Sequence, residues 1–374
     1  MITNLTLKNF TVFQDSSIDF SAKINVIIGE NGTGKSHLLK AAYSLCSANN
    51  GLSNQDEVSD KEIREAVTNK LLNVFLPPDR KLGKMRKIGV AEDARIRASF
   101  NSGNGIALKF HSNSKSITVE ENRDYEHYSW SPIFIPTKEI LTFLSGFGNI
   151  KIDTSVLKLM FDETYFDLAT KLLNISDQEP REKEEWLLES LVNKMEGRFS
   201  LDDGEMSFQP GTYIEYAGGK AKDGKLTYFS QQRKDVFSPN MMAEGFRKLG
   251  VLQGLLQNCS LIPGVSGPLF WDEPESNLNP QLMKLLVQSI LELSRSNQQI
   301  ILATHDYVLL KWLDLLMDEG KGDHVRFHSL HHDKESNNIK IQSDDDYRQL
   351  NSNAIANTFS DLYDEEIKRS LGGA

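Results

Sequence analysis

Residues 29–36 read Gly-Glu-Asn-Gly-Thr-Gly-Lys-Ser and directly follow the apolar run Ile24, Val26, Ile27, Ile28. Such a run suits a strand buried on both faces, as in a parallel sheet. Beyond the Gly-rich turn, the apolar spacing predicts a helix over about 35–47. Glycines at 29, 32 and 34 let backbone N–H groups curl around an anion without Cβ clashes, and the helix N-terminus adds its positive dipole. G-x-x-x-x-G-K-[ST] between strand and helix is the pattern of a nucleotide phosphate site, lined here by Gly29, Asn31, Gly32, Thr33 and Gly34. Lys35 would reach the β- and γ-phosphates, and the Ser36 hydroxyl would ligate Mg²⁺. An α/β fold with a parallel-sheet core is therefore expected.

The rest of the chain supplies the remainder of such a core. Residues 2–10 and 18–28 read as strands, and the polar stretch 48–62 as a surface loop. Short alternating segments from Arg95 to Ile135 predict an antiparallel β lobe. Residues 138–196 take a helical period (Leu157, Met160, Phe161, Tyr165, Leu168), with a second helix from Pro180 to Met195, before Gly-punctuated β segments at 199–230. From 240 onward helix and strand alternate: helix 240–258, strand 268–272, helix 279–296, strand 299–304, helix 306–317, strand 324–330. The organisation expected is a composite core of residues 1–136 and 231–374, carrying the β lobe at about 88–136. A helical/β lobe is inserted at 137–230.

Two of these later strands end in chemistry. Leu269-Phe270-Trp271-Asp272-Glu273-Pro274 closes an apolar strand with adjacent carboxylates. Asp272 would hold Mg²⁺, directly or through water, and Glu273 would orient or deprotonate the attacking water. Ile300-Ile301-Leu302-Ala303-Thr304-His305-Asp306 closes another, placing His305 to contact the γ-phosphate and that water.

These three elements together resemble the ABC-type ATPases of the SMC, RecF and OLD class. The line Leu7-Lys8-Asn9-Phe10…Phe13…Ile18-Asp19-Phe20…Ile24-Asn25-Val26-Ile27-Ile28-Gly29-Glu30-Asn31-Gly32 is similar to the opening of that family. So is Asp272-Glu273-Pro274-Glu275-Ser276-Asn277-Leu278-Asn279-Pro280 with Thr304-His305. The resemblance covers about 1–45 and 238–317, and weakly 130–145. It implies a P-loop ABC-type head with a β lobe and a helical lobe, binding and hydrolysing ATP with Mg²⁺. It also implies a head-to-tail homodimer or higher even oligomer, with adenine near Phe10–Phe13.

The family's signature serine falls at Ala243, leaving Gly245 and the helix N-terminus to reach the partner's γ-phosphate through backbone N–H groups, with charge from Lys248. An ordinary core-facing helix is the other meaning of 240–258. Asn279 stands where relatives commonly carry His. Thr137 or Glu139, in Ile133-Phe134-Ile135-Pro136-Thr137-Lys138-Glu139, takes the place of the Q-loop glutamine; a strand-to-helix capping turn reads equally well there.

Composition narrows the biology. With 42 Lys and Arg against 52 Asp and Glu, the net charge of −10 disfavours a generally sticky nucleic-acid binder. Residues 80–97 run the other way, with seven basic residues (Arg80, Lys81, Lys84, Arg86, Lys87, Arg95, Arg97) against Glu92 and Asp93. That segment is either a DNA or RNA backbone contact or a solvated, partner-docking face. His324, His328, His331 and His332 fit a strand better than a zinc site, and Asp344-Asp345-Asp346 reads as an acidic helix N-terminus.

Only Cys46 and Cys259 are present, and no apolar window approaches the ~18 residues of a membrane span. A cytoplasmic protein without membrane contact is expected. The head is expected to take up nearly all 374 residues, with no room expected for coiled-coil arms or a nuclease domain. Compact heads of this kind resemble AAA-family ATPases of bacterial anti-phage defence, where a separate effector protein, a nuclease or toxin, is restrained or released. The alternative is a RecF/SMC-like DNA-repair or DNA-scanning ATPase; a transporter energiser is disfavoured by the missing serine.

Overall fold

The computed structural model describes residues 1–50, 52, 58–127, 131–144, 161–174, 180, 182–202, 205–221, 224–232, 235–333, 336, 338–350 and 354–371. Leu157 and Met160, expected on a helix, lie outside these. Among the described residues the strands are β1 (Ile2–Phe10), β2 (Phe13–Asp19), β3 (Ile24–Gly29), β4 (Ala94–Phe100), β5 (Gly105–Phe110), β6 (Thr118–Arg123), β7 (Ile133–Ile135), β8 (Gly197–Asp202), β9 (Glu205–Ala221), β10 (Gly224–Gln231), β11 (Leu269–Asp272), β12 (Ile300–Ala303), β13 (Val325–His332) and β14 (Ile339–Asp344). The α-helices are α1 (Lys35–Ser47), α2 (Asp60–Phe75), α3 (Glu163–Leu172), α4 (Glu182–Met195), α5 (Glu244–Gln257), α6 (Pro280–Arg295), α7 (Tyr307–Leu316) and α8 (Ala354–Ser370).

A six-stranded sheet in the order β14-β13-β3-β12-β11-β7 forms the centre, parallel throughout except for the β13–β14 pair. Its inner strands β3, β12 and β11 are buried on both faces, and the period of two sorts their apolar residues. Ile24, Val26, Ile300, Leu302, Leu269 and Trp271 face a core built with α5, α6 and α7. Ile27, Ile301, Phe270 and Phe134 face a second core with α1, α2 and the antiparallel sheet β2-β1-β4-β5-β6. A three-stranded sheet, β10-β9-β8, packs beside α4 and α5.

Three expectations need correction. The run 18–28 is not one strand: Ser21-Ala22-Lys23 interrupts it, so β2 pairs antiparallel with β1 while β3 enters the central sheet. The polar stretch 48–62 is not wholly loop, because α2 begins at Asp60. Its cap is Ser59, whose hydroxyl accepts from the Glu62 amide while the Glu62 carboxylate accepts from the Ser59 amide. Asp344–Asp346 do not open an α-helix. Asp344 ends β14, and Asp346 caps a single 3₁₀ turn, accepting from the Arg348 amide at 3.0 Å.

His328, on β13, is buried between Asn25 and Ser343. The Asn25 carbonyl oxygen also accepts from the Ser21 amide, so Nε2 of His328 carries the hydrogen and Nδ1 accepts from the Ser343 hydroxyl. Burial pushes its pKa down from 6.5 to about 3. The unfolded chain therefore takes up a proton below about pH 6.5 that the folded chain refuses. This contribution is complete above that pH and falls away toward pH 3, by about 1.4 kcal/mol per unit. Denaturant unfolding should show a loss of about 2 kcal/mol between pH 6.5 and 5 that His328→Gln lacks. Equal pH slopes in the two proteins would remove His328 as the cause.

Candidate active site

The carboxyl ends of β3, β12 and β11 lie side by side, the place where open parallel sheets hold ligands. β3 ends at Gly29, the chain turns through 30–34, and α1 starts at Lys35. Gly34 occupies the N-cap with φ +93, and a Cβ there would lie 2.5 Å from Val12 and 2.9 Å from the Phe13 ring. Gly32 has φ +85 and open space where a Cβ would be, so a ligand can approach its backbone closely. Thr33 braces the turn, donating its hydroxyl to the Glu30 carbonyl at 2.8 Å.

Lys35 is buried, and its ammonium donates to the carbonyls of Gly29 at 2.6 Å and Glu30 at 3.0 Å. Burial pushes its pKa down, opposed by the negative charges of Glu273, Asp272 and Glu275. A phosphate entering the loop offers stronger, charged acceptors than these carbonyls.

Asp272, at the end of β11, is buried, with the Ser36 and Thr137 hydroxyls close enough to favour its charged form. Burial raises its carboxyl above the usual aspartate range, against the opposing effect of the Ser36 hydroxyl. Its Oδ1 has no hydrogen-bond partner. A buried carboxylate oxygen left unpaired beside a serine hydroxyl is a hard-oxygen donor set that fits Mg²⁺.

Glu273 continues the sheet register, its amide donating to the Ala303 carbonyl at 2.9 Å, yet its φ is +49. His305 places Nδ1 3.4 Å from Glu273 Oε1 and 3.6 Å from Glu275 Oε1. Glu275, which sequence reasoning gave no role, is buried and accepts from the Thr304 hydroxyl at 2.7 Å and the His305 amide at 3.1 Å. Burial raises its carboxyl, opposed by the Thr304 bond. It fixes the loop carrying His305. The signal for it was Glu275 and Thr304 lying three and one residues past the ends of adjacent parallel strands. His305, Gly29, Glu30 and Asn31 line an open cleft of about 290 Å³ together with Ile355, Thr358 and Phe359 of α8.

Lys35, Ser36, Asp272, Glu273 and His305 are thus brought together. The signature segment lies on α5, with Ala243 exposed at the N-cap and offering no side-chain bond. Gly245 is buried, its missing Cβ facing Asn277 and Leu278 at 3.2 Å. Lys248 does not add charge at the surface. It is fully buried and its ammonium turns inward to the Glu273 carbonyl and the Ser276 hydroxyl. Asn279 caps α6, accepting from the Gln281 amide.

At the Q-loop place, the Thr137 hydroxyl favours the charged form of Asp272. Glu139 both caps its own turn, accepting from Thr142, and pairs with Arg247 of α5 at 2.9 Å. Phe10 and Phe13 are wholly buried and belong to the core, which leaves Thr11 and Val12 as the less buried residues of that hairpin turn.

Much of the basic segment is engaged by other groups of the same molecule. Arg86 donates to the Ala91 and Glu92 carbonyls and Lys87 to the Val12 carbonyl, while Arg95 and Arg97 pair with Glu120 and Glu121. Arg80, Lys81 and Lys84 are exposed, Arg80 donating to Asn73, and the paired Arg95 and Arg97 are exposed as well.

Comparison with known proteins places this geometry. Residues 1–198 match the AAA ATPase domain family, and residues 109–311 match the family described as AAA domain, putative AbiEii toxin, Type IV TA system. The DNA replication and repair protein RecF of Bacillus cytotoxicus is 40% identical over 55 residues, which span 15% of each chain. An ATP/GTP phosphatase of Helicobacter pylori is 20% identical over 348 residues, covering 85% of this chain and 89% of that one. Among solved structures, the SmcHead bound to the C-winged helix domain of ScpA superposes with a TM-score of 0.51 at 14% identity, covering 93% of this chain and 99% of that chain. The Pyrococcus furiosus Smc head domain with an extended coiled coil also gives 0.51, at 13% identity and 98% and 99% coverage. These likenesses show the fold of an SMC head.

Proposed function

The chain belongs to the AAA-domain ATPases, and from that premise we propose that it hydrolyses MgATP at the site gathered around Lys35. The observation that carries this reading is Asp272, buried with one unpaired carboxylate oxygen, beside the Ser36 hydroxyl at the start of the phosphate-loop helix. In this reading backbone N–H groups of residues 31–36 hold the β-phosphate, and Lys35 exchanges its carbonyl partners for β- and γ-phosphate oxygens. Ser36 and Asp272 would hold Mg²⁺, which supplies charge neutralisation as the γ-phosphoryl leaves. Glu273 takes a proton from the attacking water, and His305 lies within reach of both that carboxylate and the γ-phosphate side of the cleft.

The same reading has two heads pair head-to-tail, each offering the α5 N-terminus at Ala243 to the other's γ-phosphate, so that hydrolysis releases the pair. Without a serine hydroxyl at Ala243 that grip rests on backbone N–H groups, which favours slow turnover. The biological role proposed is a sensor or regulator subunit of an anti-phage defence system with a separate effector. One matched family's description names a type IV toxin–antitoxin system, a setting that supports an ATPase restraining another activity.

The RecF likeness and the exposed Arg80, Lys81 and Lys84 favour a second reading, a DNA-binding repair head. Filter binding to duplex and gapped DNA across a salt series separates the two. The regulator reading expects no steep salt slope. A slope that disappears when Arg80, Lys81 and Lys84 are neutralised together would replace it with the repair reading.

A further inference from the structure

Lys248 lies on the buried side of α5, in line with Gly245, Leu249 and Leu252, and is 2% exposed. Its ammonium donates to the backbone carbonyl of Glu273 at 3.0 Å and to the Ser276 hydroxyl. Removing a lysine from water so completely is costly unless its hydrogen bonds are met. Burial accordingly pushes its pKa down, with Glu275, Glu244, Glu273 and Asp272 opposing. What the buried ammonium grips is the peptide of the one residue at the strand end whose backbone is strained.

Glu273 has φ +49, a left-handed conformation that is strained for a non-glycine residue and persists only where the surroundings enforce it. Three bonds enforce it here. The Glu273 amide donates to the Ala303 carbonyl, and the Glu273 carbonyl accepts from both the Ser276 amide at 3.1 Å and the Lys248 ammonium. Without the ammonium, the carbonyl keeps one local turn bond and the peptide is freed toward negative φ. That rotation swings the carboxylate away from His305 Nδ1, now 3.4 Å distant.

We propose that Lys248 is a positioning residue, holding the Glu273 peptide in the left-handed geometry that aims its carboxylate into the site and passing any movement of α5 to that carboxylate. The proposal rests on the reading of Glu273 as general base. It gives α5 two ends with different tasks. Ala243 lies exposed at its N-cap, where a second copy would dock, and Lys248 sits five residues on at the back of the catalytic glutamate. Docking that shifts α5 would then retune Glu273 in the same chain.

The test is a double-mutant cycle in MgATP turnover with nucleotide affinity measured alongside. Lys248→Met should lower kcat about 10–100-fold, the scale of a misplacement near 1 Å, with MgATP affinity within about threefold of wild type. Lys248→Arg should recover part of the loss, since it restores a donor. In a Glu273→Gln background Lys248→Met should add no further loss, because the group it positions is already gone. Losses that multiply, or affinity falling in step with kcat and unrescued by arginine, would overturn the proposal.

Ser276→Ala, which removes the ammonium's other partner, gives a second arm if Lys248→Met fails to fold. A loss of about 3–10-fold in kcat alone is expected there, and wild-type kcat would count against the proposal. Glu273→Gln with wild-type turnover would remove the general-base reading beneath it. Impaired Glu273→Gln beside unimpaired Lys248→Met overturns the proposal alone.

Discussion

Glu273→Gln should bind MgATP as the wild type does and lose turnover by about 10²–10⁴-fold, the usual worth of a positioned general base. The amide is nearly isosteric, so the strained peptide and its contacts to Ala303 and Lys248 persist. The Asp272–Ser36 pair is untouched, which leaves the phosphate and metal contacts in place. Under the proposed head-to-tail arrangement, ATP that binds and is not hydrolysed also traps the pair, and sedimentation should show dimer accumulating with MgATP. Turnover at the wild-type rate would discard Glu273 as the base.

Lys35→Ala should bind MgATP at least about 100-fold more weakly. Two charge-assisted hydrogen bonds to phosphate, at about 1.5–3 kcal/mol each, disappear with the ammonium. Folding should survive, because the groups released are the Gly29 and Glu30 carbonyls at a loop partly open to water, and burial already works against the lysine's charge. Calorimetric titration of MgATP checks the affinity and thermal unfolding checks the fold. Unchanged affinity in a folded variant would show that phosphate binds elsewhere.

The strand ends of this site were legible because contiguous residues carry each of them. Gly29–Ser36, Leu269–Pro274 and Ile300–His305 pair an apolar strand with polar residues at its end, and a parallel sheet brings such ends together. Other features depend on partners far away in the chain. The seven basic residues of 80–97 looked like a coherent patch, yet Arg95 and Arg97 answer Glu120 and Glu121 across β5 and β6, and Lys87 answers a carbonyl of the β1–β2 turn. Lys248 falls on the apolar stripe of α5, a position from which a lysine ordinarily extends its head to water; only the fold supplies the Glu273 carbonyl that holds it inside. The start of α2 did carry a local signal in Ser59-Asp60-Lys61-Glu62, hidden by the polarity of its surroundings.

Phosphate release from ATP, followed with Mg²⁺ present and with Mg²⁺ withdrawn by a chelator, tests the central claim most directly. The arrangement of Lys35, Ser36, Asp272 and Glu273 predicts slow, steady release that requires Mg²⁺ and is absent in Glu273→Gln. Release that continues unchanged without Mg²⁺, or no release from ATP under any condition, would contradict it.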